Sequence, residues 1–170
     1  MLTPLPLQTT YQQYETVAQN GMPASMTGWD ADNRIAEDLG SGIPFGRAVC
    51  QGTASDKAAT LGQLSGGEFI GITMQDVTLP LSTTRPVDTY EDTDNMAVMV
   101  RGDIWVIPLG NVVAGAQVYY DSVTGQLGPS TVANAVLITH ARWQTNLPDT
   151  AQPLVNFNGL AVVRLGASAQ

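Results

Sequence analysis

The side chains that most often do chemistry are scarce in this chain. It has a single histidine, His140, and a single cysteine, Cys50. One histidine cannot build a two-histidine metal site, and one cysteine cannot form an intrachain disulfide. A nucleophile pair made of Cys50 and His140 is allowed by residue type, but no local pattern supports it. We therefore expect no catalytic residues, no metal and no cofactor, and we predict that the protein is not an enzyme.

The stretch from Leu64 to Glu68 almost spells the signature loop of ATP-binding cassette transporters, which presents backbone amides to a phosphate from the start of a helix. Here it leads into Phe69-Ile70-Gly71-Ile72, which is typical of a strand. The chain also lacks a P-loop, and its only lysine is Lys57. A turn is the favoured interpretation.

Two further motifs point to structure more than to chemistry. The tripeptide Arg101-Gly102-Asp103 lies between apolar strand segments, where glycine marks a bulge or tight turn. Asp30 and Asp32 begin like a calcium loop, but the sixth and twelfth positions hold Ile35 and Ser41 instead of glycine and glutamate. The acids of 88–94 are better interpreted as a solvated loop, with weak cation binding as the alternative.

The composition narrows the class of partner. The net charge is −8, so the chain lacks the basic patch that nucleic acid or anionic lipid requires. Only 13% of residues are charged, well below the usual quarter, which indicates that partners cover part of the surface. No signal peptide or membrane span is evident, and we expect synthesis in the host cytoplasm.

Residues 1–27 differ from the rest of the chain. They are rich in Gln and Thr, are interrupted by proline and show no sustained period. We predict an extended N-terminal arm over 1–27 and a single β domain over 28–170, with a disordered tail as the alternative. Tyr11, Tyr14 and Trp29 favour an arm that orders on a neighbouring subunit, because a purely solvated tail rarely needs aromatic residues. They are the candidate partner contacts.

The remaining chain predicts an all-β fold. Gly and Pro are spread along it, and strand patterns recur about every 10 residues, which is typical of a β-sandwich or barrel. Strands are expected at 45–50, 68–74, 96–109, 116–121, 135–144 and 160–165, with a hairpin turn at 122–125 and at most weak helix at 55–63. Alternation in 136–143 places His140 on the face of Ile138, opposite Leu137 and Trp143. Unbroken apolar runs such as 97–100 require cover on both faces, from a sandwich or another subunit.

Five segments, in this order, resemble the small capsid cement proteins of tailed bacteriophages. They are Gly42-Ile43-Pro44-Phe45-Gly46-Arg47-Ala48-Val49, Phe69-Ile70-Gly71-Ile72, Ala97 to Val106, Gly115 to Leu127 and Gly159 to Arg164. The resemblance covers roughly 42–165. It implies a jelly-roll-like β domain that binds an assembled capsid lattice as an oligomer, and it brings no catalytic residues.

The resulting interpretation is a structural virion protein on the outer capsid surface. It would cement neighbouring capsomers, with the major capsid protein of the same virus and itself, as a homodimer or homotrimer, for partners. One alternative is a carbohydrate-binding or tail-associated β module, for which Trp105 and Trp143 are the aromatic candidates. The other is a small hydrolase or nucleotide enzyme of β fold, which would need a polar constellation that the sequence does not show.

Overall fold

The computed structural model describes residues 18–25, 28–37, 40, 42–62, 67–79, 88–147 and 159–166, and this part of the chain contains strands and no helix. The strands are β1 (Asp30–Ala36), β2 (Ile43–Pro44), β3 (Ala48–Gln51), β4 (Ala58–Leu61), β5 (Phe69–Thr73), β6 (Thr89–Tyr90), β7 (Asn95–Val106), β8 (Gln117–Asp121), β9 (Leu127–Gly128), β10 (Ala135–Trp143) and β11 (Ala161–Leu165). The all-β prediction is confirmed.

A closed five-stranded barrel forms the first half of the fold. Its strands run in the order β1-β4-β3-β5-β7, and β7 pairs again with β1 to complete the ring. The second half is an antiparallel sheet in the order β7-β11-β10-β8-β9. Strand β7 belongs to both halves, because Asn95–Arg101 pairs with β1 while Gly102–Val106 pairs with β11. The architecture is consistent with the jelly-roll-like barrel that the sequence predicts.

Two buried clusters explain the unbroken apolar runs. Along β3, Val49 packs in one cluster with Met96 and Val98, whereas Ala48 and Cys50 pack in the other. Met99 joins the second cluster, which extends to Tyr120, Trp143 and Val163 of the second sheet. Because successive strand residues face opposite sides, a strand between two cores needs apolar residues at every position. The cover comes from within the chain, as in a sandwich.

A bulge lies where β7 passes from the barrel to the second sheet. Asp30 is opposite Arg101 and Ala31 is opposite Met99, so Val100 has no opposite residue on β1. Gly102 follows with a φ of 125°, and a Cβ there would lie 2.5 Å from the Cβ of Trp29. The irregularity that the sequence predicts at this glycine is confirmed.

Three local predictions are wrong. The weak helix predicted within 55–63 is absent from the described residues 55–62, because Ala58–Leu61 forms β4. Pairing of β4 with β3 and β1 outweighs the helical propensity of the local sequence. The sequence also gives no strand for Asp30–Ala36, which is β1. In β10, Ile138 is buried with Ala141 and Trp143 although simple alternation separates them. A register shift between Ile138 and Arg142 moves the strand's inward face, and Leu137 becomes exposed.

Candidate partner interface

The last part of the predicted arm lies against the β domain. Residues 21–24 run antiparallel to β7 and use the edge that β11 leaves open. The N–H of Gly21 donates to the carbonyl of Trp105 at 2.8 Å, and the N–H of Trp105 donates to the carbonyl of Met22 at 2.9 Å. The carbonyl of Gly21 also accepts from the N–H of Gln75 at 2.8 Å. The arm therefore begins from a fixed point, between β7 and the end of β5.

Asn20 fixes the direction in which the chain continues toward its N-terminus. Its amide nitrogen donates to the carbonyl of Phe45 at 2.6 Å, and its amide oxygen accepts from the N–H of Ile107 at 3.1 Å. Since the segment runs antiparallel to β7, moving from Pro23 back to Ala18 means moving past Val106 toward Ile107. The first described residues, 18–20, therefore lie next to the end of β7.

The end of β7 opens onto an apolar rim, which we define as Ile107, Leu109 and Val113. Their side chains are 47%, 42% and 64% exposed. Leu109 is held in place by its N–H, which donates to the carbonyl of Leu127 at 2.7 Å. All three residues lie in the connection between β7 and β8.

A groove of about 280 Å³ continues from this rim, and we call it the rim groove. It is lined by Val112, Val113, Ala116, Tyr119, Pro129 and Trp143, among others. Trp143 is 1% exposed, and its indole Nε1–H is buried without a hydrogen-bond partner among the described residues. Buried polar groups without partners are uncommon, and this one lies inside the core cluster behind the groove wall.

Of the candidate partner contacts, the structure describes only Trp29. Its side chain is 41% exposed and precedes β1, with its Cβ packed against Gly102. Tyr11 and Tyr14 lie outside the described residues. We did not predict the apolar rim from the sequence. The signal was present, because Leu109, Val112 and Val113 are apolar residues in a stretch broken by Pro108 and Gly110, where a polar loop is the norm.

The position of Cys50 and the pKa of its thiol are those of a core residue. It is fully buried, and its Sγ lies 3.4 Å from the hydroxyl of Tyr120. Burial raises the pKa of the Cys50 thiol, whereas a nucleophilic cysteine needs a lowered pKa and access to substrate. His140 is exposed on β10, where its carbonyl accepts from the N–H of Gly166 at 2.7 Å.

The tripeptide Arg101-Gly102-Asp103 is part of the sheet. Asp103 accepts two hydrogen bonds from Arg164 on β11, at 2.7 and 2.9 Å. Asp30 and Asp32 lie within β1, and Asp32 pairs with Arg34 at 2.8 Å. In the ranges that the structure describes, no three His, Cys, Asp or Glu side chains are grouped so that they could hold a metal ion.

The acidic loop is organised by its own backbone. The N–H of Glu91 donates to the carboxylate of Asp94 at 2.8 Å, and the N–H of Asp94 donates to the carbonyl of Glu91 at 3.1 Å. At least one of its carboxylates therefore closes a turn. Within the described residues, no helix is long and apolar enough to cross a membrane.

Comparison with known proteins decides among the structural interpretations. The sequence model of the family "Structural cement protein (E217 gp24/Pam3 gp6)" matches residues 7–166. The chain belongs to this family of phage cement proteins. No curated protein matches the sequence. A chain from the solved structure "The capsid of Myoviridae Phage XM1" is 14% identical with a TM-score of 0.62, and the match covers 96% of this chain and 99% of that one. At that identity the likeness concerns the fold.

The family confirms the resemblance on which the sequence interpretation relied. The cement protein is a structural, capsid-associated protein of the virion that stabilises the phage head. The glycan-binding alternative loses one of its two aromatic candidates, because the ring of Trp143 is buried in the core and cannot present a face to a sugar, whereas Trp105 is partly exposed.

Proposed function

We propose that the cement protein binds the outer surface of the assembled capsid as a homodimer or homotrimer and joins neighbouring major capsid proteins of the same virus. One observation carries the proposal: the predicted arm starts from a fixed backbone ladder on β7, immediately beside exposed apolar side chains. An arm that starts from a rigid point can reach a neighbour without loosening the domain. At about 3.3 Å per residue, residues 1–17 extend at most roughly 55 Å.

Energetic considerations say what the arm must bury. Ordering a residue costs about 1–2 kcal/mol of backbone entropy. At about 25 cal/mol per Å², offsetting that cost requires roughly 40–80 Å² of apolar burial per ordered residue. Tyr11 and Tyr14 are the arm residues that supply such area, and Trp29 adds exposed aromatic surface at the start of the domain. We assign these three residues to partner contact.

The proposal includes no reaction. Cys50 is buried with a raised pKa, and the family is structural. The net charge of −8 argues against nucleic acid and anionic membranes as partners. We also propose that the protein is made in the host cytoplasm and uses no cofactor.

Truncation of the arm tests the proposal. A variant that lacks residues 1–17 keeps every hydrogen bond of residues 20–24, so its thermal midpoint should match that of the full chain while its capsid occupancy falls at least tenfold. A variant that lacks residues 1–25 is the control, because it also loses the ladder on β7 and should melt earlier. Equal occupancy of capsids by the full chain and the 1–17 deletion would refute the role of the arm.

A further inference from the structure

The rim groove and the exit of the arm lie on the same side of the domain. Asn20 binds the backbone of Ile107, Ile107 precedes Leu109, and Gly110 lies beside Pro129 of the groove wall. Each copy thus presents an outgoing chain and an apolar receiving surface next to each other. We propose that the rim groove of one copy binds the N-terminal arm, residues 1–17, of a neighbouring copy. This inference rests on the proposed role of the arm.

The chemistry of the two surfaces is complementary. The arm carries spaced apolar residues, namely Leu2, Leu5, Leu7, Tyr11, Tyr14 and Val17. The groove offers Val112, Val113 and Pro129, and Ile107 and Leu109 are exposed in the connection that leads from β7 to Val112. Neither surface carries a charge that opposes the contact.

The length of the arm favours a neighbour over its own groove. A groove of about 280 Å³ accommodates a few side chains, whereas residues 1–17 can extend roughly 55 Å. When two or three rims meet around a symmetry axis, each arm needs only a short crossing to the next groove. Exchange of an identical segment in this manner closes the assembly as a small ring or dimer.

Cross-linking between different chains tests the proposal directly. In a Cys50→Ser background, a tagged full-length chain carries Gln13→Cys and an untagged chain carries Ser130→Cys in the groove wall. The two chains are co-expressed, purified through the tag and treated with a short bismaleimide. We expect a tagged–untagged product, and we expect none when the untagged chain carries Ser55→Cys in the distant β3–β4 turn. A single chain with both Gln13→Cys and Ser130→Cys tests for linkage within one copy.

Linkage confined to one chain would overturn the exchange, and no linkage in a protein that sediments as an oligomer would overturn the groove as the receptor. Point variants give a second readout. Leu109→Asp on the rim should raise the dissociation constant of the oligomer at least tenfold, while Val123→Asp, at a similarly exposed turn residue (49% against 42%), should not. Equal sedimentation of the two variants would also contradict the proposal. Capsid occupancy is measured separately: a protein that occupies capsids but gives no interchain linkage refutes the groove alone.

Discussion

Asp103 on β7 lies directly opposite Arg164 on β11 and accepts two of its hydrogen bonds, at 2.7 and 2.9 Å. On the other side of β11, Arg164 is opposite Arg142 of β10. Two like charges on adjacent strands repel each other, and the carboxylate of Asp103 neutralises one of them. This pairing explains why the Arg-Gly-Asp tripeptide belongs to the sheet.

Loss of that carboxylate should destabilise the sheet in a salt-dependent way. We expect Asp103→Asn to lower the thermal midpoint more at 20 mM than at 500 mM salt, because salt screens the repulsion between exposed arginines. Adding Arg164→Gln to this variant should recover most of the loss. Asp30→Asn is the control, since Asp30 is 3.7 Å from Arg101 and holds it less closely. Equal losses at both salt concentrations would show that the repulsion is unimportant.

Asp121 should make the β8–β9 hairpin sensitive to acid. Burial alone would raise the pKa of its carboxyl, but hydrogen bonds from the Val123 N–H and the Thr124 hydroxyl, both 2.9 Å, lower it below the ordinary 3.8. A lowered pKa in the folded state stabilises the fold above the unfolded value, and this contribution disappears as the pH falls through the folded value.

We therefore expect Asp121→Asn to lower the thermal midpoint at pH 7 and to flatten its decline between pH 5 and pH 3. The control is Asp56→Asn, at an exposed carboxylate with no side-chain partner among the described residues. Scanning calorimetry at several pH values measures both effects. An unchanged acid slope in Asp121→Asn would rule out this carboxylate as the source.

Gly125 should tolerate substitution far less well than Gly115. Both have positive φ, 64° and 84°. A Cβ at Gly125 would lie 2.5 Å from the carbonyl oxygen of Ala48, whereas a Cβ at Gly115 meets nothing within 4 Å. Gly115→Ala should cost about 1–2 kcal/mol from the backbone conformation alone. Gly125→Ala should cost clearly more in denaturant unfolding, and similar values for the two would contradict the packing.

How far the sequence predicts the fold is clear from particular strands. The apolar run of β7 is recognisable in the sequence because both cores need apolar residues there. The turn before Leu127 is recognisable because Gly125 permits it. Strand β1 cannot be predicted from the local sequence, because Asp30–Ala36 is mostly polar and forms a strand by closing the barrel between β4 and β7. The inward face of β10 was predicted wrongly for a similar reason, since no local sequence pattern indicates the register shift after Ile138.

The candidate interface was predictable only in part. The compositional break marks the arm, and Trp29 is exposed as a contact residue should be. The backbone ladder of residues 21–24 on β7 uses the edge of Gly102–Val106 that β11 leaves open, which composition does not reveal. Ile107 and Leu109 are recognisable as exposed residues only in the structure, where Asn20 accepts from the N–H of Ile107.

Removal of the Cys50 thiol or of the His140 imidazole should leave capsid binding intact. Cys50→Ser keeps a hydroxyl beside Tyr120, and His140 is exposed on β10. We expect the variants Cys50→Ser and His140→Ala to bind capsids with unchanged occupancy. Loss of binding in either variant, with the fold and the oligomer intact by circular dichroism and sedimentation, would require a chemical role for that residue.

Heat-induced rupture of phage heads tests the central claim, that this protein stabilises an assembled capsid from outside, most directly. Heads made without the protein are mixed with the full chain or with the 1–17 deletion, and release of packaged DNA is followed by dye fluorescence during heating. Cryo-electron microscopy of the same samples locates the added density. We predict that the full chain adds density to the outer surface and raises the rupture temperature, while the deletion does neither. Heads that rupture at the same temperature with and without the full chain bound would contradict the account.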